Sequence, residues 1–295
     1  MFPSAQLLAW YLRSGRRHLP WRTTRDPYRI AVSETMLQQT QVERVIPLYE
    51  AFVARWPSFA ALAAAEPSDV VRAWRGLGYN SRAVRLHALA RAVVERHDGE
   101  LPSGTEALRA LPGIGAYTAA AIRAFAFEID DAAIDVNLRR VLHRVAFGIE
   151  HPRVADDRAL DTLAIAAIPR GTAHDWNSAM MDLGATLCTA RGPKCLVCPL
   201  RDACVAAPID PALLAARRPP QKKGVPFERS ARFLRGRVID RLRDVAHGEA
   251  LAVEALQRDL ASVIPADRLC EIPAVVDALH ADGIVTRIAD LVRLR

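Results

Sequence analysis

Four of the five cysteines of this 295-residue chain lie within seventeen positions, and no other feature of the sequence constrains the fold as strongly. They are Cys188, Cys195, Cys198 and Cys204, in the spacing C-x6-C-x2-C-x5-C. Four thiolates in one short loop form a closed soft-ligand site, which suits tetrahedral zinc or an iron–sulfur cluster. The sequence therefore predicts a loop built around a metal centre rather than a disulfide framework.

The rest of the first two hundred residues has helical periodicity. No strand-like alternation of any length occurs before residue 205, so we expect an all-α core. The segment LPGIGAYTAAAIRAFAFEIDDAAIDVN places Gly113 and Gly115 in a tight turn between two helices, followed by Asp135. Backbone N–H groups in such a turn can bind a phosphate, although an ordinary helix–helix turn fits the same glycines.

Two further segments allow either a nucleic-acid role or a packing role. In RRHLPWRTTRDPYR, the residues Arg17, Trp21 and Arg22 line a base pocket in one interpretation, and Trp21 packs in the core in the other. In GLGYNSRA, Leu77 and Tyr79 lie on a glycine turn and, if exposed, could be wedged into a base stack, as apolar side chains of DNA-deforming proteins are. The same two side chains could instead be packed inside.

One acidic residue stands out in the segment IAVSETMLQQTQVERVI. Ser33 is a plausible helix start, and the apolar spacing predicts one long helix from there through Ile46. Glu34 would then lie in its first turn. A carboxylate there is either a capping residue favoured by the helix dipole or a partly buried acid with a raised pKa.

The C-terminal quarter differs from the rest of the chain in composition and pattern. Residues 209–226 are rich in proline, arginine and lysine and are predicted to be a linker. Residues 227–295 have three helical segments and a terminal hairpin pattern, which predicts a winged-helix-like domain. Its first helix region carries six arginines that favour a DNA-binding role, namely Arg229, Arg232, Arg235, Arg237, Arg241 and Arg243.

Bulk properties agree with a nucleic-acid partner. The net charge is +7 and the sequence pI is about 9.5, which favours binding to a polyanion. The N-terminus does not have the pattern of a secretion signal, and no apolar run approaches the length of a membrane span. We expect a cytoplasmic, nucleoid-associated protein that is monomeric and makes no membrane contact.

With these segments assembled, the chain resembles the helix-hairpin-helix DNA glycosylases that carry a cysteine-ligated 4Fe–4S cluster. The cysteine spacing, together with LPWR and VSETMLQQTQV, is most similar to their adenine glycosylase branch, which removes adenine mispaired with oxidised guanine. The resemblance covers roughly residues 5–206. It implies a glycosylase core over 1–208, a 4Fe–4S cluster held by the loop 188–204, and double-stranded DNA with a mispaired base as partner.

The resemblance also implies roles for individual residues. Glu34 falls where the family has its general acid and Asp135 where it has a second, ionised carboxylate, with Tyr117 and Asn137 expected to hold Asp135 by hydrogen bonds. Gln39 and Tyr79 fall where the family has residues inserted at the lesion. The full set of expected DNA and base contacts is Arg17, Trp21, Arg22, Gln39, Thr40, Leu77, Tyr79, Gly113, Gly115 and Ser178.

Tyr117 also bears on the type of reaction. A related bifunctional subfamily has a Schiff-base lysine at this position, directly after the glycine turn. Without that amine the chain has no obvious nucleophile for strand cleavage. The resemblance therefore implies a monofunctional glycosylase.

Three departures from the family pattern keep other functions open. Ser178 stands where the family has a glutamine or glutamate that contacts adenine, Asn80 replaces a second aromatic, and the winged-helix-like segment takes the place of a Nudix-like domain. The excised base could therefore be thymine or uracil opposite guanine, or hypoxanthine. A third hypothesis is a non-catalytic protein that binds damaged DNA.

Overall fold

The computed structural model describes residues 2–150, 153, 155–217, 219 and 224–295. Contacts between Cα atoms divide the chain into two compact units. The first unit comprises residues 1–34 and 101–221, and the second comprises residues 35–100 and 222–295. Both units are thus assembled from segments that are far apart in sequence.

The helices lie in chain order as follows: α1 Ser4–Ser14, α2 Pro27–Leu37, α3 Val42–Arg55, α4 Phe59–Ala63, α5 Pro67–Ala73, α6 Ser81–His97, α7 Thr105–Arg109, α8 Ala116–Ala126, α9 Val136–Ala146, α10 Asp157–Ala167, α11 Ala173–Thr186, α12 Pro211–Arg217, α13 Ala231–Arg243, α14 Val253–Leu260 and α15 Ile272–Ala281. The three strands are β1 Leu251–Ala252, β2 Val285–Ile288 and β3 Leu291–Leu294. The predicted fold class is confirmed, because the described chain is largely helical and its strands lie near the C-terminus. None of the helices in the described ranges is long and apolar enough to cross a bilayer.

The first unit is organised around α11, which packs against α1, α8 and α9. Trp176, Met180 and Leu183 project from α11 at helical spacing, and all three are fully buried. The Trp176 indole donates to the Ser4 hydroxyl over 3.1 Å, and this hydroxyl donates to the Ala167 carbonyl over 2.5 Å. Helix α11 is therefore the central support of this unit, with neighbours on several sides.

The predicted long helix from Ser33 through Ile46 is wrong, because α2 ends at Leu37 and α3 begins at Val42. Gln39, between them, has a φ of 56°, which is left-handed and incompatible with a continuing helix. The apolar spacing continues through the break, so periodicity alone does not reveal it. The predicted start at Ser33 is wrong as well, because α2 begins at Pro27, so Glu34 lies in the last turn of a helix rather than in the first.

The second unit contains α3–α6 and the C-terminal segment. From α13 onward the order is helix, strand, helix, helix, strand, strand, which is the order of a winged helix. The sheet order is β1-β3-β2, with antiparallel pairs such as Leu251 with Val292 and Val285 with Leu294. The predicted terminal hairpin is thus confirmed, and it turns at Ala289, which has a φ of 52°.

The C-terminal segment packs against helix α5 and the residues that follow it. The Arg243 side chain is buried and donates to the Val71 carbonyl over 2.8 Å and to the Asn80 side chain over 2.7 Å. In return, Arg72 donates to the Val245 carbonyl over 2.8 Å. The segment predicted as a separate domain, 227–295, therefore shares a compact unit with part of the predicted 1–208 core. Within the predicted linker, 209–226, α12 is helical, and the remainder lies partly outside the described residues.

Candidate active site

Glu34 is a buried carboxyl in the last turn of α2, with 6% of its surface exposed. The negative end of the helix dipole does not stabilise a charge there, so the capping interpretation does not hold. Burial raises the pKa of Glu34 to about 7, against smaller opposing effects of a hydrogen bond from Tyr117 and of the charge of Arg22. The group therefore retains its proton through much of the neutral range.

Asp135 has the opposite environment, at the N-cap of α9. Its Oδ1 atom accepts from the backbone N–H groups of Asn137 and Leu138, each over 2.8 Å. Its Oδ2 atom accepts from the Asn137 side-chain amide, also over 2.8 Å. Three donors and the positive end of a helix hold this carboxylate in place. The predicted hydrogen bond from Asn137 is confirmed.

Tyr117, on the first turn of α8, is bonded to a different partner from the one predicted. Its hydroxyl is hydrogen-bonded to Glu34, whereas Asp135 acts on it through charge alone. Burial, and then the charge of Glu34, raise the pKa of Tyr117 well above its usual value. A phenol that stays protonated donates to Glu34 and orients the acid rather than the second carboxylate.

A second layer of contacts holds Asn137. Arg140 donates to the Asn137 side-chain oxygen over 2.8 Å and to the Gly184 carbonyl over 2.7 Å. A Cβ on Gly184 would lie 2.7 Å from the Asn137 Cβ, so α11 approaches α9 as closely as a glycine permits. Neither Arg140 nor Gly184 is among the site residues predicted from the sequence. Arg140 could have been found from its position about one helical turn after Asn137 in the sequence. No sequence pattern points to Gly184.

Asn177 holds the segment that leads into Asp135. Its side chain is fully buried; its oxygen accepts from the Ala133 N–H over 2.9 Å, and its amide donates to the Asp131 carbonyl over 2.9 Å. The loop before α9 is therefore fixed to α11 by hydrogen bonds between the Asn177 side chain and backbone groups of the loop. The carboxylate of Asp135 is positioned from both sides of the helix start.

The predicted base-pocket residues of the first unit fall in different environments. Trp21 is buried and Arg17 is exposed. The Arg22 side chain is 6% exposed, and its guanidinium lies 5.3 Å from the Phe125 ring centroid. Its charge lowers the pKa of Glu34, which places this cation near the acid. Ser178 is fully buried beside the Tyr11 hydroxyl. Its contact with a base stays a prediction.

The predicted glycine turn joins α7 to α8. Gly113 has a φ of 78°, in the left-handed region, and Gly115 is the N-cap of α8 without a side-chain cap. A Cβ on Gly115 would meet no atom within 4 Å. Packing within the protein therefore does not require a glycine there, and the open space permits the close approach of an anion to the helix N-terminus.

Two loops of the second unit carry the predicted lesion contacts. Gln39 and Tyr79 have φ values of 56° and 45°, and both side chains are exposed. Left-handed backbone at non-glycine residues costs free energy and persists only where neighbouring groups impose it. These two residues are thus held in strained, outward-facing conformations.

Arg82 imposes this conformation on both loops. It is 5% exposed and donates to the carbonyls of Gln38 over 2.7 Å and of Leu77 over 2.8 Å, one in each loop. It also donates to the Thr40 hydroxyl over 3.2 Å, and burial lowers its pKa to about 10. Leu77 itself is only 3% exposed, so the exposed wedge predicted for this turn is reduced to Tyr79. Arg82 is not among the site residues predicted from the sequence.

The four cysteines lie around one cavity, bordered by apolar side chains of α9 and α11. Burial, and the neighbouring thiols, raise the pKa of Cys198 to about 11. Among the described residues, no group of three or more His, Cys, Asp or Glu is arranged to hold a single metal ion. Four soft thiol donors around one cavity still fit a larger, polynuclear group.

Arg144 fastens the cysteine loop to α9. Its side chain is fully buried, and it donates to the Cys188 sulfur over 3.5 Å and to the Thr189 carbonyl over 2.8 Å. Both oxygens of Glu150 accept from it over 2.7 Å. Helix α9 therefore has Asp135 at its start and the anchor of the cysteine loop near its end.

Comparisons with known proteins agree with this geometry. The sequence model of the HhH-GPD superfamily of base excision DNA repair proteins matches residues 32–159. The adenine DNA glycosylase of Mycolicibacterium smegmatis is 40% identical over 287 residues, which is 97% of this chain and 93% of that protein. The adenine DNA glycosylase of Mus musculus is 41% identical over 212 residues, 68% of this chain and 41% of that protein.

A solved structure of a thermostable thymine-DNA glycosylase superposes with a TM-score of 0.64 at 33% identity, covering 68% of this chain and 93% of that one. The chain belongs to the HhH-GPD superfamily of base excision DNA repair proteins. The mycobacterial match spans nearly the whole chain and so includes most of the C-terminal segment.

Proposed function

We propose that this chain is a monofunctional DNA glycosylase of base excision repair, which hydrolyses the N-glycosidic bond of adenine mispaired with 8-oxoguanine or guanine in double-stranded DNA. The observation that carries the proposal is the pair Glu34 and Asp135, two carboxyls held in opposite environments. The similarity to adenine DNA glycosylases supports adenine as the substrate.

Hydrolysis of an N-glycosidic bond needs a proton on the departing base and a negative charge beside the cationic sugar. Glu34, protonated near neutral pH, supplies the proton to a ring nitrogen of the flipped base. Asp135, ionised and fixed by three hydrogen bonds, stabilises the oxocarbenium-like sugar as the bond breaks. Water then attacks the sugar carbon and gives a proton to the Glu34 carboxylate, which restores the acid.

The proposal that the enzyme is monofunctional rests on Tyr117. A hydroxyl with a raised pKa that is bonded to Glu34 is a poor nucleophile and cannot form a Schiff base. The protein should therefore release the base and leave the abasic strand intact. Efficient cutting of an abasic strand by purified protein, without added base or heat, would refute this part of the proposal.

The decisive experiment is a single-turnover assay with duplexes containing adenine opposite 8-oxoguanine or guanine, thymine or uracil opposite guanine, and hypoxanthine. We expect adenine release by the wild type and a near-complete loss in Glu34→Gln. Glu106→Gln is the matched control, because the Glu106 side chain is 89% exposed and pairs only loosely with Arg109. Tight binding without release on every duplex would favour the damage-binding hypothesis.

A second candidate, release of thymine opposite guanine, has one specific observation in its favour. The thymine-DNA glycosylase structure is 33% identical to this chain over the core. Ser178, where the resemblance expects a glutamine or glutamate, is consistent with a changed base preference. Release of thymine but not adenine in the same panel would replace the first proposal with this one.

We also propose that Cys188, Cys195, Cys198 and Cys204 bind a 4Fe–4S cluster. The four thiols around one cavity and the Arg144 anchor support it. Cluster binding would require deprotonated thiols and would stabilise the loop that α9 supports. The purified protein should be brown and hold about four iron atoms per chain.

Cys198→Ser should lose most of the iron, whereas Cys270→Ser should keep it, because Cys270 is exposed and belongs to the other unit. Arg144→Ala should bind less iron than the wild type. A colourless protein that contains zinc would contradict the cluster assignment.

A further inference from the structure

The arginines of the α13 region are mostly neutralised by aspartates. Five of the six form ion pairs, namely Arg229 with Asp267, Arg235 with Asp282, Arg237 with Asp240, Arg241 with Asp259 and Arg243 with Asp240. Among the described residues, Arg232 forms no ion pair, and it is exposed. The basic character that the sequence predicts for this helix is therefore concentrated at one side chain.

Arg232 is directed at Tyr79, one of the two residues expected at the lesion. Its guanidinium carbon lies 4.2 Å from the centroid of the Tyr79 ring, and its Nη1 atom donates to the Tyr79 hydroxyl over 3.0 Å. Its Nη2 atom would lie 3.5 Å from a Cβ placed on Gly78. Stacking and a hydrogen bond together fix the position of a tyrosine that is 38% exposed.

These side chains border a cleft of about 460 Å³. One wall is the turn 76–81 and the other is α13 with the preceding Phe227, and Arg44 also lines the cleft. The volume is within the usual range of small-ligand sites. Aromatic rings and guanidinium planes stack on nucleobases, and free cations neutralise phosphates. The lining carboxylate, Asp240, is already paired with Arg237 and Arg243.

We propose that this cleft binds one nucleotide of the DNA duplex at the gap in its base stack, and that Arg232 is the positioning residue that holds Tyr79 against the neighbouring base. The C-terminal segment is then part of the lesion-contacting surface rather than a separate DNA tether. The inference rests on the proposed function, because it assumes a DNA duplex as the ligand.

The test compares Arg232→Ala, Arg232→Lys and the control Arg241→Ala. Arg241 lies nine residues further along α13, on the opposite side of the helix, and is paired with Asp259. The probes are a duplex with a tetrahydrofuran abasic analogue opposite guanine and the same duplex fully paired. We expect Arg232→Ala to weaken binding to the abasic duplex about tenfold and to the paired duplex less than about threefold.

Arg232→Lys should recover part of this loss, because a lysine keeps the charge but not the planar stacking. Arg241→Ala should stay within about twofold of the wild type on both duplexes. Tyr79→Ala and the double variant complete a cycle. We expect the double variant to bind within about twofold of Tyr79→Ala, because the two changes remove the same interaction.

Equal weakening on the two duplexes would show attraction to phosphates alone and would overturn the proposal, as would additive effects in the cycle. The abasic probe requires no base release, so these outcomes are independent of the substrate. Failure of wild type to release adenine would count against the proposed function only, and the two failures can be told apart.

Discussion

The two carboxyls of the candidate active site lie at opposite kinds of helix end, and the contrast shows how one chain can hold two carboxyls in opposite environments. Glu34 lies in the last turn of α2, buried, with a hydrogen bond from Tyr117. Asp135 lies at the start of α9 and accepts three hydrogen bonds. Burial disfavours a charge on Glu34, whereas the start of α9 directs its N–H donors at Asp135.

The strongest test of this contrast is Glu34→Gln, which keeps the shape of the side chain but removes the transferable proton. We expect base release in single turnover to fall on the order of 10³-fold. DNA binding should persist, which a gel-shift assay with the same duplex would show. A variant that retained more than about a tenth of the wild-type rate would remove Glu34 from the role of general acid.

The same variant should also lose less stability than the wild type as the pH rises. Because the pKa of Glu34 is raised from 4.5 to about 7, the wild type loses stability as the pH rises from 4.5 through 7. Glutamine has no ionisation penalty, so at pH 8 the variant should gain on the order of 1–3 kcal/mol relative to its difference at pH 4. Denaturant unfolding at the two pH values measures this gain.

Asp135→Asn should reduce base release by about 10²–10³-fold, because the neutral side chain no longer stabilises the sugar cation. Asparagine is also a good N-cap, so the stability should fall by less than about 1 kcal/mol. Asp156→Asn is the matched control: Asp156 caps α10 by accepting from the Ala159 N–H over 2.8 Å. A similar rate loss in both variants would mean that capping, and not charge, is what the reaction needs.

How much of this site the sequence predicts depends on how local the interactions are. The contacts of Asp135 with Asn137 and Leu138 join near neighbours, so the capping pattern around Asp135 follows from a short segment. The burial of Glu34 and the break after Leu37 do not, because Arg82 fixes that loop from more than forty residues away. The ion pairs of the α13 arginines could not be predicted for the same reason, because their aspartates mostly come from other elements.

A smaller effect is expected from Gly184→Ala, which tests whether Asp135 must be positioned as well as charged. The added Cβ would lie 2.7 Å from the Asn137 Cβ and 3.3 Å from its backbone, so Asn137 must move. A displaced Asn137 should misplace Asp135 and slow base release about 10–100-fold. Gly192→Ala is the control, since its Cβ would meet no atom within 4 Å. An unchanged rate in a folded Gly184→Ala protein would show that α11 does not position the carboxylate.

The smallest effect is the pH dependence of the wild-type rate between pH 6 and pH 8. Because a general acid acts only when protonated, and the pKa of Glu34 is about 7, the rate of base release should fall about tenfold over this range. The slope should be absent from the residual rate of Glu34→Gln and present in Asp135→Asn, which retains the acid. Rates measured at saturating enzyme exclude the effect of pH on DNA binding. A flat wild-type profile would place the pKa of Glu34 outside the neutral range. The different helix positions of Glu34 and Asp135 would then not account for the state of the acid.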